Sequence, residues 1–327
     1  MVNCDYAGFT QYRNRLSMKV PITRNETTMD RIDSRIPQPF HAGELQAQRL
    51  AGVAPGAAPI RARMPEQHRA FFPLLRFVCL ALPDAEGWPL ATLVEGAPGF
   101  ARSPDPARLV IGALPAAGDP VRAWLLEGAP VGLLGIDLAT RRRNRLNGIV
   151  GAVSKDGFEV GVVQSFGNCP RYIEVRDLRS VARTPGAALD FETQLPARAR
   201  DMIASSGTLF VASASGADAQ GASAGLDISH RGGPPGFARL EGSVLAIPDY
   251  NGNRYFNTLG NFIAEPRAAI VLADFDSGDM LQLQGVVEID WNAADPGQQP
   301  PVERTWRFRI VRGLLREGAF GLASGVA

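Results

Sequence analysis

The sequence predicts a mainly β fold with accessory helices, in which one small barrel occurs twice in tandem. Short apolar segments between turn residues predict strands. In addition, residues 96–102 (GAPGFAR) recur as residues 233–239 (GPPGFAR), and residues 145–150 match residues 282–287, both at an offset of 137 residues. Recurrence of Pro-Gly turns is the competing explanation, but it does not account for a common register. We therefore interpret the chain as a duplication.

Each copy consists mostly of predicted strands. An Asp156-Gly157 pair between two apolar runs predicts a hairpin, because Asp-Gly favours tight turns. Near the C-terminus, Trp306, Phe308 and Ile310 alternate with arginines, which is the period of a half-buried strand. The strands are predicted at residues 77–83, 89–95, 108–114, 131–137, 148–154 and 158–165 in the first copy, and at 208–213, 225–229, 237–240, 243–248, 268–275, 280–290 and 304–312 in the second.

One helix is predicted at equivalent places in the two copies, over residues 120–127 and 257–265. Pro266 ends the second of these, since proline disfavours helical geometry in the residue before it. Further helices are predicted before each barrel, at residues 65–75 and 196–205. Many short strands with one intervening helix favour compact antiparallel barrels.

Composition excludes several classes of function. Lysine and arginine total 34 against 33 aspartates and glutamates, so the net charge is +1 and nonspecific nucleic-acid binding is not expected. Three cysteines and three histidines are scattered, which argues against a zinc site or a disulfide framework. No apolar stretch reaches the length of about 18 residues that a membrane span requires, and no secretory signal is recognisable, so we expect a cytoplasmic protein.

The two copies differ at two places where polar groups cluster only in the second. Residues 227–233 read DISHRGG, whereas the equivalent residues 90–96 read LATLVEG. The second helix is likewise preceded by NRYF and the first by AAGD. A helix N-terminus and an arginine fork both bind phosphate, although each segment alone could simply cap backbone groups. The candidate anion ligands are Ser229, His230, Arg231, Arg254, Asn257 and Thr258.

These segments carry a resemblance to a known family. Residues 254–269, within the span 229–285, resemble the pyridoxamine 5′-phosphate oxidase-related flavin proteins. Residues 141–148 and 164–173 resemble the tandem, two-barrel members of that superfamily. The resemblance implies split β-barrels of the flavin-binding type, in which a basic loop and the start of a helix hold the FMN phosphate. Asn257 and Thr258 stand where the oxidases carry Arg and Lys.

The resemblance also implies an organisation of the chain. Residues 1–36 are expected to form a flexible extension, residues 37–180 a first barrel with a degenerate cofactor site, and residues 181–327 a second barrel with the flavin phosphate site. Since the oxidases are homodimers, the tandem chain would form a pseudo-dimer internally. Whether two such chains also pair as a homodimer stays open.

Three further residues gain expected roles from this comparison. Arg145 and Gln282 are repeat equivalents on strands that reach the flavin in the homodimers. We expect Gln282 near the flavin ring or phosphate, and Arg145 facing the same site from the first barrel. A solvated strand edge is an equally simple explanation of the basic run 141–145. Cys169 is a candidate thiol near the substrate, or else a small buried hydrophobe.

The expected function is that of an FMN-dependent oxidoreductase acting on a small molecule that the sequence does not identify. No Rossmann fingerprint follows a predicted strand, so electrons would come from NAD(P)H in the open pocket or from a separate reductase. Two alternatives stay open: a non-catalytic protein that binds or carries FMN, haem or another anionic cofactor, and a reductase that uses the deazaflavin F420.

Overall fold

The computed structural model describes residues 35–36, 38–54 and 58–324. The extension predicted for residues 1–36 therefore lies outside the described residues, apart from Arg35 and Ile36. Strands dominate the described part of the chain, as the sequence predicts. The first-half strands are β1 (Phe77–Pro83), β2 (Pro89–Glu95), β3 (Ala101–Asp105), β4 (Arg108–Ile111), β5 (Pro130–Asp137), β6 (Arg142–Val153) and β7 (Phe158–Gly167).

The remaining strands lie beyond residue 177. Two short ones come first, β8 (Leu178–Ser180) and β9 (Ala188–Phe191). The second-half strands are β10 (Thr208–Ala214), β11 (Leu226–Gly232), β12 (Arg239–Glu241), β13 (Val244–Tyr250), β14 (Arg267–Ala273), β15 (Met280–Asp290) and β16 (Val302–Arg316), and β17 (Leu322–Ser324) pairs with β8.

Four α-helices accompany these strands within the described ranges. They are α1 (Ala42–Leu50), α2 (Glu66–Arg69), α3 (Ala197–Ser205) and α4 (Asn257–Ala264). Short 3₁₀ helices occupy Phe72–Leu74, Pro120–Trp124 and Gly221–Ser223. None of the helices that the structure describes is long and apolar enough to cross a membrane.

The two large sheets have the same strand order. The first runs β2-β1-β5-β6-β7-β4-β3 and the second β11-β10-β14-β15-β16-β13-β12, with β9 added beside β16. The register also agrees, because Arg145 pairs with Leu134 and Gln282, 137 residues later, pairs with Val271. Both sheets carry a bulge at the equivalent place, after Asn147 and after Gln284. The predicted fold class, a mainly β chain of split barrels, is confirmed.

Strands at the contact between the sheets are buried on both faces. On β1, Val78 and Leu80 point into the core of their own half, whereas Phe77 and Cys79 join an apolar cluster shared with the other half. Phe210 of β10 enters the same shared cluster. Burial on both faces explains why β1 and β10 read as continuous apolar runs rather than as alternating ones.

Helix α1 lies on the second half, although it precedes the first sheet. A Cβ atom added at Gly43 would stand 2.3 Å from the carbonyl oxygen of Gly260, and one added at Gly260 would stand 2.4 Å from the Cα of Glu44. Helices α1 and α4 therefore cross with their backbones in contact, which only glycine at both positions allows. Ala47 joins the core of the second half.

Candidate functional site

A polar cleft of about 100 Å³ lies where β6 of the first half meets β11 and the start of α4. Because side chains alternate along a strand, Arg143 and Arg145 share one face of β6, and Ser229 and Arg231 share one face of β11. The cleft is lined by Arg143, Arg145, Asn168, Cys169, Arg171, Tyr172, Ser229, His230, Arg231, Asp249, Tyr250, Arg254, Asn257, Thr258, Glu303 and Arg304, together with Gly232, Pro248, Gly252, Asn253, Phe256 and Leu259.

The chain enters α4 through a constrained loop. Arg254 and Phe256 both have φ of 60°, in the left-handed region that non-glycine residues rarely adopt. This path places Asn257 and Thr258 in the first turn of the helix, where backbone N–H groups have no partner within the helix. Backbone strain of this kind is concentrated at ligand-binding segments.

Two hydroxyl groups and one guanidinium meet at the base of the cleft. The Ser229 Oγ and Thr258 Oγ1 atoms are 2.8 Å apart and form a hydrogen bond. Arg145 donates from Nη2 to Ser229 Oγ, and from Nη1 to Asp227 Oδ1 at 3.1 Å. All four side chains are buried. The first half thus supplies a cation to the base of the cleft, beside two hydroxyl groups of the second half.

Arg231 and Arg304 share one carboxylate at the opposite wall. Arg231 donates from Nη1 to Asp249 Oδ1 at 2.8 Å, and Arg304 bonds the other oxygen of the same carboxylate. Glu303 accepts from Arg304 at 3.0 Å and from the exposed Arg254 at 3.1 Å. Burial lowers the pKa of Arg231 despite the attraction of Asp249. The two carboxylates of Asp249 and Glu303 thus neutralise only part of the charge of the three guanidinium groups of Arg231, Arg254 and Arg304.

Arg143 lies beside His230 instead of a carboxylate. Its Nη1 donates to His230 Nδ1 over 3.0 Å, so the imidazole accepts at Nδ1 and carries its proton on Nε2. Burial, followed by the nearby charges of Arg143 and Arg231, holds the pKa of His230 well below its usual value and keeps the ring neutral. Burial and the charges of Arg145 and Arg231 lower the pKa of Arg143 to about 10.

Four buried N–H donors of the cleft have no acceptor among the residues that the structure describes. They are the Nε atoms of Arg143, Arg145 and Arg231, and the Nε2 atom of His230. Unpaired buried donors cost about 1–3 kcal/mol each. The lining also carries six guanidinium groups against the two carboxylates of Asp249 and Glu303. An anion with several oxygen atoms is the ligand that would satisfy both the donors and the charge.

A buried hydrogen-bond chain connects the cleft to α1. Asn261 Nδ2 donates to Asp227 Oδ2 at 3.3 Å, and Asn261 Oδ1 is hydrogen-bonded to His41 Nε2 at 2.8 Å. Asn257 at the start of α4 donates to Glu44 Oε1, and the backbone N–H of His41 donates to Glu44 Oε2. Burial, with the nearby charge of Asp227, raises the pKa of Glu44 to about 8. Glu44 is therefore protonated at neutral pH.

Most of the candidate residues meet in this cleft. Ser229, His230, Arg231, Arg254, Asn257, Thr258, Arg145 and Cys169 all line it. Gln282 does not join them, because it lines a different cavity. There Gln282 Nε2 donates to the carbonyl of Ala91 at 2.8 Å, and its Oε1 accepts from Arg316 at 3.1 Å. Repeat equivalents in a pseudo-symmetric pair face opposite sites, so Arg145 and Gln282 do not share one.

Sequence reasoning missed several residues of the site. Arg143 could have been found, since it stands two positions before Arg145 and so shares its strand face. Asp249 and Arg304 are cross-strand neighbours 55 residues apart, a pairing without a local sequence signal. Glu44 and His41 lie more than 210 residues from their partners on α4.

No group of three His, Cys, Asp or Glu side chains within the described ranges is arranged to hold a metal ion. The cleft instead carries more guanidinium groups than carboxylates, and this excess positive charge disfavours a cation.

No protein-family model and no curated protein matches the chain. Among the solved structures that are similar to part of it are the following three. A HupZ protein from Group A Streptococcus is 13% identical, with 37% of this chain and 99% of that chain covered and a TM-score of 0.30. A FAD-binding protein from Mesorhizobium loti is 13% identical, with 40% of this chain and 97% of that chain covered and a TM-score of 0.26.

The third is a putative 5-nitroimidazole antibiotic resistance protein from Bacteroides thetaiotaomicron. It is 9% identical, with 43% of this chain and 93% of that chain covered and a TM-score of 0.26. Similarity of this extent identifies neither a cofactor nor a reaction.

Proposed function

We propose that the cleft binds the phosphate of FMN and that the protein is a flavin-dependent oxidoreductase. The observation that carries the proposal is the set of buried N–H donors, on Arg143, Arg145, Arg231 and His230, that lack acceptors among the described residues. A phosphate group offers three oxygen atoms and a double charge, which match both the donors and the excess of guanidinium groups. The free N–H groups at the start of α4 add a second source of attraction.

The residues divide the phosphate contacts between the two halves of the chain. Ser229 and Thr258 would offer hydroxyl groups, Arg231 and His230 would donate from β11, and Arg143 and Arg145 would donate from β6. Because both halves contribute, the bound anion would join the two sheets. The second half would then hold the working site, and the equivalent place in the first half would lack it.

The size of the cleft matches the phosphate end of the nucleotide. About 100 Å³ is the space of roughly three water molecules in the liquid, enough for a phosphate group but not for a flavin ring. The ring would therefore extend outside this space. When bound, FMN would supply electron transfer to or from a substrate, with NAD(P)H or a separate reductase as the electron source. The protein would bind and orient the cofactor by its phosphate.

The same volume is equally compatible with a second candidate function, the non-catalytic binding of an anionic cofactor. A site that holds only the phosphate end suits storage or transfer of a cofactor as well as catalysis. Haem and F420 also carry acidic groups, so they are alternative ligands for the same site.

The test is a titration of the purified protein with FMN and with riboflavin, which lacks the phosphate. We expect FMN to bind at least about tenfold more tightly, because charge-assisted hydrogen bonds contribute about 1.5–3 kcal/mol. Equal affinity for the two would refute the phosphate site. Bleaching of the flavin spectrum by NADH would support the oxidoreductase, whereas unreduced FMN would favour the carrier. A Soret band, or preference for F420 over FMN, would point to the other cofactors.

A further inference from the structure

The second cavity lies at the place equivalent to the cleft, on the other side of the pseudo-symmetric pair. Gln282 and Gln284 line it, and these are the repeat equivalents of Arg145 and Asn147. Pro120, at the start of the short helix of the first half, stands in the place of Asn257. The cavity has a volume of about 640 Å³, in the range of sites for drug-sized molecules.

The charge of this cavity is opposite to that of the cleft. Its lining contains four carboxylates, on Asp84, Glu86, Asp190 and Glu192, against the single guanidinium of Arg312. Arg312 is already paired with Asp84 at 2.9 Å. Within the described part of the chain, the carboxylates of the other three have no ion-pair partner.

The walls between these charges are apolar. The half-buried Trp124 lines the cavity. Leu90 and Leu314 add aliphatic surface, whereas the ring of Phe191 packs against the core of the second half. Aromatic faces attract cations as well as planar apolar groups, so rings beside carboxylates form a suitable wall for an organic cation.

The polar groups at the base of the cavity are occupied by the protein itself. Gln284 donates to the carbonyl of Pro89 at 2.9 Å, and its Oε1 accepts from Arg312 at 2.5 Å. Asp119 below them bonds Arg316 and the hydroxyl of Thr92. Among the residues described, the base therefore offers no unpaired donors of the kind found in the cleft, and a phosphate would meet net negative charge here.

We propose that this cavity is a second binding site, which takes a small planar organic cation. The indole of Trp124 would contact the planar part, and Glu86, Asp190 and Glu192 would neutralise the ammonium or amidinium group. The proposal does not depend on what occupies the cleft. The chain would then hold two ligands of opposite charge in two equivalent places of a repeated fold.

The test compares three probes with the same ring system and different charge. Tryptamine is a cation at neutral pH, tryptophol is neutral and indole-3-acetate is an anion. We expect calorimetric titration to show binding in that order, and we expect inorganic phosphate not to displace tryptamine. Absence of tryptamine binding, equal affinity for all three probes, or displacement by phosphate would overturn the assignment.

Two double variants test whether tryptamine binds in this cavity. The double variant Asp190→Asn/Glu192→Gln should weaken tryptamine affinity by about two- to thirtyfold, since exposed charge pairs contribute about 0.2–1 kcal/mol each. Both side chains belong to exposed residues, so the fold should persist. The control is Glu127→Gln/Asp156→Asn, which removes the same charge from exposed residues outside the cavity. Equal affinity of the test and control proteins would place the binding elsewhere and refute the proposal.

Discussion

Replacing Arg143 by alanine should separate anion binding from folding. Arg143 has no carboxylate within ion-pair distance among the described residues, and its Nη1 bonds only the neutral His230. Its removal therefore leaves no carboxylate unpaired. A charge-assisted hydrogen bond to phosphate contributes about 1.5–3 kcal/mol, so Arg143→Ala should weaken FMN binding by about 10- to 150-fold.

The unliganded protein should respond in the opposite direction. Burial and two neighbouring guanidinium groups lower the pKa of Arg143 from 12.5 to about 10, which shows that its charged form is disfavoured in the folded state. A pKa unit corresponds to about 1.4 kcal/mol. Partial exposure and the bond to His230 reduce the effect, so we expect the free energy of unfolding to rise by about 1 kcal/mol.

The assay is quenching of FMN fluorescence, with denaturant unfolding of the same samples. Arg142→Ala is the matched control, because Arg142 is the adjacent residue, is exposed and lies over the ring of Phe71, away from the cleft. The control should keep FMN affinity within about twofold, apart from long-range charge effects. Undiminished FMN binding by Arg143→Ala, or an equal loss in Arg142→Ala, would refute the assignment of Arg143 to the phosphate.

Three further predictions concern the cleft and the helix that covers it. Arg231→Ala should weaken FMN binding by about 1.5–3 kcal/mol, whereas Val94→Ala, at the equivalent position of the first half, should reduce stability and leave FMN affinity nearly intact; titrations of both proteins decide this. The pKa of Glu44 is raised to about 8, so the folded state binds one proton more than the unfolded chain between about pH 4.5 and 8. The free energy of unfolding should fall across that window by up to about 1.4 kcal/mol per pH unit, and Glu44→Gln should flatten the slope; an unchanged slope in urea titrations would contradict the buried, protonated carboxyl. Gly260→Ala should destabilise the protein by about 1–3 kcal/mol, because its Cβ would meet the backbone of α1, and wild-type stability by thermal unfolding would show that the helices do not cross so closely.

The strands at the contact between the halves could be predicted from sequence almost residue by residue. The runs at Phe77–Pro83 and Pro89–Glu95 are apolar throughout and end at turn residues, so local pattern and burial agree. Strand β3 was not predicted, because Ser103-Pro104-Asp105 reads as a turn. In place of the helix predicted at residues 120–127, the structure has a short 3₁₀ segment over Pro120–Trp124. The next three residues, Leu125, Leu126 and Glu127, are not helical.

Helix α1 lacked a sequence signal of the usual kind. Its apolar residues are two alanines and two leucines, and its first turn is capped by a histidine, His41, together with Glu44. What holds it is the close approach of Gly43 to Gly260, a tertiary contact between residues 217 positions apart. Long-range contact of this kind overrides the weak local propensity.

The site could be predicted in its composition but not in its division between the halves. The asymmetry of the repeat selected Ser229, Arg231 and Thr258, which line one cleft, since a polar segment replaced an apolar one at a fixed offset. The same offset could not show that Gln282 lines another cavity, because equivalence in sequence does not mean proximity in a pair of facing copies. Neither ion pairs across strands nor charge inversion between equivalent cavities can be deduced without the packing.

The apolar cluster that β1 and β10 share has a consequence for how the molecule denatures. Phe77 and Phe210 pack against each other where the two sheets meet, so separating the sheets would expose apolar side chains of both halves to water. Neither half can unfold first without exposing the apolar surface of the other half to water. The described part of the chain should therefore unfold in one cooperative transition. Either half expressed alone should aggregate rather than form a smaller stable protein.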